Sequence, residues 1–72
     1  MTTIGDMKVV LNGEVRVVQS SGTVQELLHE VGRDTVPCAV EVNCNLVPKK
    51  QHGVHQLHEG DRIEVVTLVG GG

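Results

Sequence analysis

The chain has 72 residues, a formal net charge of −3 and no Trp, Tyr or Phe, which makes it one small, mildly acidic domain. Lacking both a basic stripe and aromatic stacking groups, it is unsuited to nucleic acid, and its apolar stretches are too short to span a bilayer. With no aromatic ring to bury, the core has to be aliphatic, chiefly Val with Leu and Ile. That composition favours strands, because β-branched side chains suit a pleated, half-buried surface.

Met1 to Asp6 are neither basic nor long and apolar, so no signal peptide is expected and the segment is predicted to be loose. Met7–Leu11 and Glu14–Val18 read as strands joined by Asn12-Gly13, the strongest short hairpin signal, since a type I′ turn needs positive φ at both central residues. Gln19–Gly22 form a loop. Thr23 then fits an N-cap, with Glu26 reaching back to complete a capping box. Val24, Leu27, Leu28 and Val31 share one helical face, and Gly32 is a natural stop. A helix of two to three turns is marginal alone and has to pack on a sheet.

Arg33–Pro37 read as a loop. Cys38, Val40 and Val42 alternate with Ala39, Glu41 and Asn43, predicting a strand with one buried face. Asn43-Cys44-Asn45 make a turn, and Leu46-Val47-Pro48 a short edge strand ended by the proline. Lys49–Leu57 are polar and irregular, with room for a single helical turn, and His58–Asp61 form another turn. Arg62–Val69 make the last strand, followed directly by Gly70-Gly71-Gly72. The order strand, strand, helix, strand, short strand, strand predicts an α+β domain, one helix packed on a mixed sheet of four to five strands. Residues 1–72 form a single unit, with 69–72 expected to be a flexible tail.

Cys38 and Cys44 on or beside one strand lie roughly 15–20 Å apart, too far for a disulfide, which needs Cα atoms within about 7 Å. Free thiols and a cytoplasmic location are therefore expected. Cys38 reads as a small buried hydrophobe and not a reactive thiol, and Cys44, in a turn, as exposed. A catalytic Cys–His pair is the lesser alternative and would need the two side chains to be brought together in space. His52, His55 and His58 recur every three residues but match no standard zinc signature, so the segment reads as a solvated loop and no metal is expected.

The chemistry concentrates at the end. A strand that feeds three glycines presents a C-terminal carboxylate on a thin arm, able to pass through a narrow channel without side-chain bulk. If Ile63 and Val65 face the helix, alternation puts Val66 and Leu68 on the opposite face, a candidate partner-binding patch continued by Val69. Glu59, Asp61 and Glu64 are weighed as acidic contacts to a partner or as solvated side chains, with Glu64 kept in the patch.

Leu11-Asn12-Gly13-Glu14, Thr23-Val24 with Leu27-Leu28, Val40-Glu41-Val42-Asn43, Val47-Pro48, and above all Leu57-His58-Glu59-Gly60-Asp61-Arg62-Ile63-Glu64-Val65-Val66 leading into the triple glycine follow one another in a characteristic order. In this the chain resembles the ThiS family, sulfur carrier proteins of thiamin (thiazole) biosynthesis, from about Lys8 to Gly72. The resemblance implies a β-grasp, ubiquitin-like fold with the last strand beside the first in mid-sheet. It also implies that the chain is a protein co-substrate and not an enzyme, binding no cofactor itself. An E1-like adenylyltransferase (ThiF-type) would use ATP to adenylate the carboxylate of Gly72. A sulfur donor, usually a persulfide made by a cysteine desulfurase, would convert it to a thiocarboxylate, for delivery to thiazole synthase (ThiG-type). Gly70 and Gly71 would supply reach. The nearest alternatives are the small molybdopterin-synthase subunit (MoaD-type), a ubiquitin-like protein modifier, or a β-grasp interaction domain with inert glycines. The turn Asn43-Cys44 departs from the Asn-Gly common at that place in the family.

Overall fold

The computed structural model describes residues 6–19 and 22–68. Of the segment Met1–Asp6, expected to be loose, Met1–Gly5 lie outside the described residues and Asp6 instead opens the first strand, paired with Gln19; residues 69–72, expected to be a flexible tail, also lie outside the described residues. Five strands and one helix run β1 (Asp6–Leu11), β2 (Glu14–Gln19), α1 (Val24–Glu30), β3 (Cys38–Val42), β4 (Asn45–Val47) and β5 (Arg62–Thr67), with a short 3-10 turn at Lys49–Gln51. The sheet order is β2-β1-β5-β3-β4. β5 is parallel to β1 and antiparallel to β3, so the last strand sits in the middle of a mixed sheet. This is the expected β-grasp, with five strands.

Local chemistry accounts for each element. Asn12 and Gly13 take φ of 49° and 84°, giving the two-residue turn that sets the register Leu11↔Glu14. At Thr23 the capping box is complete: the Glu26 amide donates to Thr23 Oγ1 at 3.2 Å and the Thr23 amide to Glu26 Oε1 at 3.0 Å. The helix ends in a Schellman motif. Gly32, at φ 77°, donates to His29 O and Arg33 donates to Leu28 O at 2.7 Å, satisfying carbonyls the helix leaves open.

Period-two strands and the helix's apolar stripe meet in one aliphatic core. Val9, Leu11, Val40, Val42 and Ile63 from the sheet pack with Val24, Leu27 and Leu28 from α1, and with Leu57 from the long connection. Val31 and Val65 close its edge half-buried.

Several expectations change. β4 begins at Asn45 and ends at Val47, one residue earlier than expected at each end, because the 43–44 turn is only two residues long. Asn43 and Cys44 both take positive φ, 52° and 70°, so the turn keeps the Asn-Gly geometry with a cysteine in the glycine's place. The histidine-rich loop is not wholly solvated. His52 is buried, and its Nε2 lies 3.1 Å from Val47 O; a carbonyl can only accept, so Nε2 carries the hydrogen. Cys38 is half-buried and not fully packed, its Sγ donating to Val36 O and Arg33 O. Both cysteines are free, and Cys44 is exposed.

Candidate functional site

β5 carries the chain toward Gly70-Gly71-Gly72, and its parallel pairing with β1 covers only Val10↔Arg62 and Leu11↔Ile63. Side chains from the two hairpin turns extend that hold. On one side, the Asn12 amide donates to Ile63 O at 2.8 Å. Asn12 Oδ1 accepts the Val65 amide at 2.8 Å, while Nδ2 donates to Val65 O at 3.2 Å. The carboxamide thus stands in for one more residue of the ladder.

On the other side, Asn43 N donates to Arg62 O at 2.7 Å and Asn43 Oδ1 accepts the Arg62 amide at 2.9 Å. Asn43 Nδ2 donates to Asp61 Oδ1 at 2.9 Å, and Asp61 Oδ2 accepts the His58 amide at 2.8 Å. Asp61 is therefore a buried brace and not an acidic surface contact, because its carboxylate is consumed by the turn it closes. Glu59 is also engaged, its Oε1 accepting the Lys8 amide at 2.9 Å.

The end of β5 is held by the α1–β3 loop. Arg33 Nη1 donates to Thr67 Oγ1 at 2.6 Å, and the Leu68 amide donates to Pro37 O at 2.8 Å. The expected strand to Val69 stops at Thr67, as Leu68 passes its hydrogen bond to the loop. The loop is itself tied to the helix. His29 Nδ1 meets Asp34 Oδ2 at 2.7 Å, which raises the His29 pKa through that hydrogen bond and then through charge attraction; the same bond lowers Asp34.

Of the predicted site residues, Val66 and Leu68 are 57% and 49% exposed and Glu64 is exposed beside them, on the sheet face turned away from the helix. Register extends that face. Ala39 and Glu41 pair with Val66 and Glu64, and the exposed Leu46 lies opposite Glu41. Val69, Gly70, Gly71 and Gly72 lie outside the described residues. A cavity of about 510 Å³ lies elsewhere, lined by Val18, Thr23, Glu26, Leu27 and Leu57 among others, and no predicted site residue borders it. Among the described residues, no cluster of three or more His, Cys, Asp or Glu could hold a metal ion, and no helix is long and apolar enough to cross a membrane. Arg33, Thr67 and Asn12 were not anticipated in these roles. Left-handed Asn in a hairpin turn signals the turn, but nothing local signals that the same side chain reaches a strand 53 residues away.

A central exposed strand on a helix-backed mixed sheet defines a small β-grasp protein of the ubiquitin-like class. Residues 9–72 match the family model described as the ThiS family. The chain belongs to the ThiS family. It is 44% identical over 66 residues to a thiazole synthase of Paramagnetospirillum magneticum and 39% identical over 66 residues to one of Magnetococcus marinus. Each alignment takes in 92% of this chain, but the chain spans only 20% of the length of those relatives. It is 27% identical to the sulfur carrier protein ThiS of Escherichia coli, covering 92% of this chain and all (100%) of that one. A crystal structure of ThiS from Geobacter metallireducens superposes with a TM-score of 0.78 at 26% identity, covering 92% of this chain and 100% of that one.

Proposed function

We propose that this chain is a sulfur carrier whose Gly72 carboxylate is adenylated, converted to a thiocarboxylate and presented to a thiazole synthase. The observation that carries the reading is the family match through Gly72, on a chain whose last strand leads into Val69-Gly70-Gly71-Gly72. Identity to two proteins named thiazole synthase supports that enzyme as the recipient. Cys38 and Cys44, which are not bridged to each other, suit a cytoplasmic protein.

The chemistry assigns the carrier a passive part. A carboxylate oxygen attacks the α-phosphorus of ATP on an E1-like activating enzyme, and pyrophosphate leaves. The acyl-adenylate is then attacked by the terminal sulfur of a desulfurase-derived persulfide, and AMP leaves. A thiol cleaves the resulting acyl disulfide, taking the second sulfur into a new disulfide and freeing the thiocarboxylate. The activating enzyme supplies the binding and electrostatics, so the carrier is a co-substrate. Val66, Leu68 and Glu64, with Val69, form the docking patch beside the tail, the apolar members giving contact area and Glu64 a charge for a basic partner.

Intact-protein mass tests this. Incubation with ATP, a ThiF-type enzyme, a persulfide donor and a reducing thiol exchanges one oxygen for sulfur, and a chain lacking Gly72 keeps its mass. An unchanged wild-type mass would leave an inert interaction domain. A thiocarboxylate used for molybdopterin but not for thiazole would move the chain to the MoaD-type branch, and conjugates on lysines would make it a modifier.

A further inference from the structure

We propose that Arg33 is a positioning residue that fixes the point at which the tail leaves the domain. The proposal rests on the reading of Gly72 as the group that is charged. Two bonds from one loop converge on the last described residues of the chain: Arg33 Nη1 to Thr67 Oγ1 at 2.6 Å, and the Leu68 amide to Pro37 O at 2.8 Å. Both come from Arg33–Pro37, which has little freedom of its own. Its start is the Schellman bond from the Arg33 amide to Leu28 O. Asp34 is bonded to His29 on the helix, and the thiol of Cys38 donates back to Arg33 O and Val36 O. Cys38 in turn is the antiparallel partner of Thr67.

The loop is thus a rigid bracket between the helix and the end of β5, and the guanidinium is its longest arm. Removing that arm leaves the bonds within the loop in place, because those to Leu28 O, Arg33 O and Val36 O use main-chain atoms and the Cys38 thiol, while the Leu68 bond to Pro37 O loses the support beside it. The consequence falls on Thr67 and Leu68. An activating enzyme that must thread a carboxylate into its site works on a tail with a fixed origin, and each residue freed at the origin has to be ordered again on binding. The effect belongs to binding and not to the acyl chemistry, since Arg33 touches no reacting atom.

The test is steady-state pyrophosphate release by a ThiF-type enzyme, with a persulfide donor and a thiol in excess to discharge the acyl-adenylate, for wild type, Arg33→Ala, Thr67→Val and the double variant. Amide exchange at Leu68 is followed by NMR in the same proteins, with the Val10 amide, bonded to Asp61 O, as the reporter of global stability. Each single variant raises KM for the carrier by about fivefold, the lower end of the cost of ordering one residue, with kcat unchanged. Leu68 exchange quickens while Val10 exchange does not. The double variant is no worse than either single, as both remove one bond, and Arg33→Lys and Thr67→Ser recover part of the loss. Unaltered KM in variants whose wild type is charged normally overturns the positioning role and leaves the function standing. Additive effects of the two substitutions overturn it as well. A wild type that is never adenylated overturns the function and the positioning role with it.

Discussion

Replacing Asn12 separates two jobs that one side chain performs. Asn12→Gly keeps the left-handed turn, because glycine reaches φ near the observed 49° without a Cβ clash. It deletes the bonds to Val65 N and Val65 O, at 2.8 and 3.2 Å. Each such bond is worth about 0.5–1.5 kcal/mol net. Val65 is only half-buried and water can reach its freed groups, so the lower half of the summed range applies, about 1–2 kcal/mol. Asn12→Ala loses the same bonds and also holds an alanine in the left-handed region, adding about 1 kcal/mol. Stability therefore falls in the order Asn, Gly, Ala. In a domain of this size the Gly variant melts roughly 4–16 °C lower. Urea unfolding followed by circular dichroism is the assay, since there is no Trp or Tyr to report by fluorescence, and the denaturant slope should not change. An Asn12→Gly protein within about 0.5 kcal/mol of wild type, the range of an ordinary surface change, would refute the claim that the carboxamide extends the ladder. An Ala variant as stable as the Gly variant would refute the turn argument.

Cys44→Gly relieves a side chain at φ 70° and is expected to stabilise the domain by about 0.5–1 kcal/mol in the same assay; it also removes the exposed thiol, so air-oxidised dimers on a non-reducing gel should fall. The His29–Asp34 bond gives a pH window. His29 is raised from its ordinary 6.5, so its contribution is complete below that value and fades as pH climbs through the raised one; Asp34 is lowered from 3.8, so its contribution stands above that value and is lost as pH falls through the lowered one. The pair supports the fold most between roughly pH 4 and 6.5, and Asp34→Asn should bring the His29 proton titration in NMR back to about 6.5; a His29 midpoint unchanged by that substitution would sink the pairing. Val66→Thr keeps β-branching at an exposed site, so stability holds within about 0.5 kcal/mol. Burying its unpartnered hydroxyl against an activating enzyme costs about 1–3 kcal/mol, so kcat/KM for activation should drop about fivefold or more; an unchanged value would remove Val66 from the docking patch.

What was legible in the sequence was local. Asn12-Gly13, the Thr23–Glu26 box and Gly32 each encode a geometry within four residues, and the structure has all of them. The outward placement of Val66 and Leu68 followed from period-two alternation once Ile63 was set inward. The position of β5 between β1 and β3 came from the family resemblance, since alternation does not name a strand's neighbours. Asp61 was misjudged because an aspartate in a turn is usually solvated, and its burial depends on an amide supplied by Asn43 18 residues earlier. His52 was misjudged because a recurrence of three residues in a loop does not say which member faces Val47. The Arg33–Thr67 bond spans 34 residues and leaves no periodic trace. Gly72 and its neighbours rest on resemblance and chemistry alone.

The polar braces on β5 answer a weakness of an all-aliphatic core. Apolar burial is non-directional, and a strand whose inward residues are Ile63 and Val65 would gain nearly as much apolar contact in a shifted alignment, with Glu64 as the main objector. A slip by one residue turns every side chain to the other face and moves the tail's origin by about 3.3 Å along the strand. The parallel pairing to β1, only two residue pairs long, is a weak guard against this. Asn43 at Arg62, Asn12 at Val65 and Arg33 at Thr67 each bond a particular residue of β5, at its start, middle and end. None of these bonds survives a slip. On this argument the braces hold register more than they hold the fold. A variant lacking both asparagine side chains, Asn12→Gly with Asn43→Gly, should then show slow exchange between two sets of NMR signals for Glu64–Leu68 before it shows global unfolding. A single set of shifted signals up to the unfolding transition would mean that the core alone fixes where the tail begins.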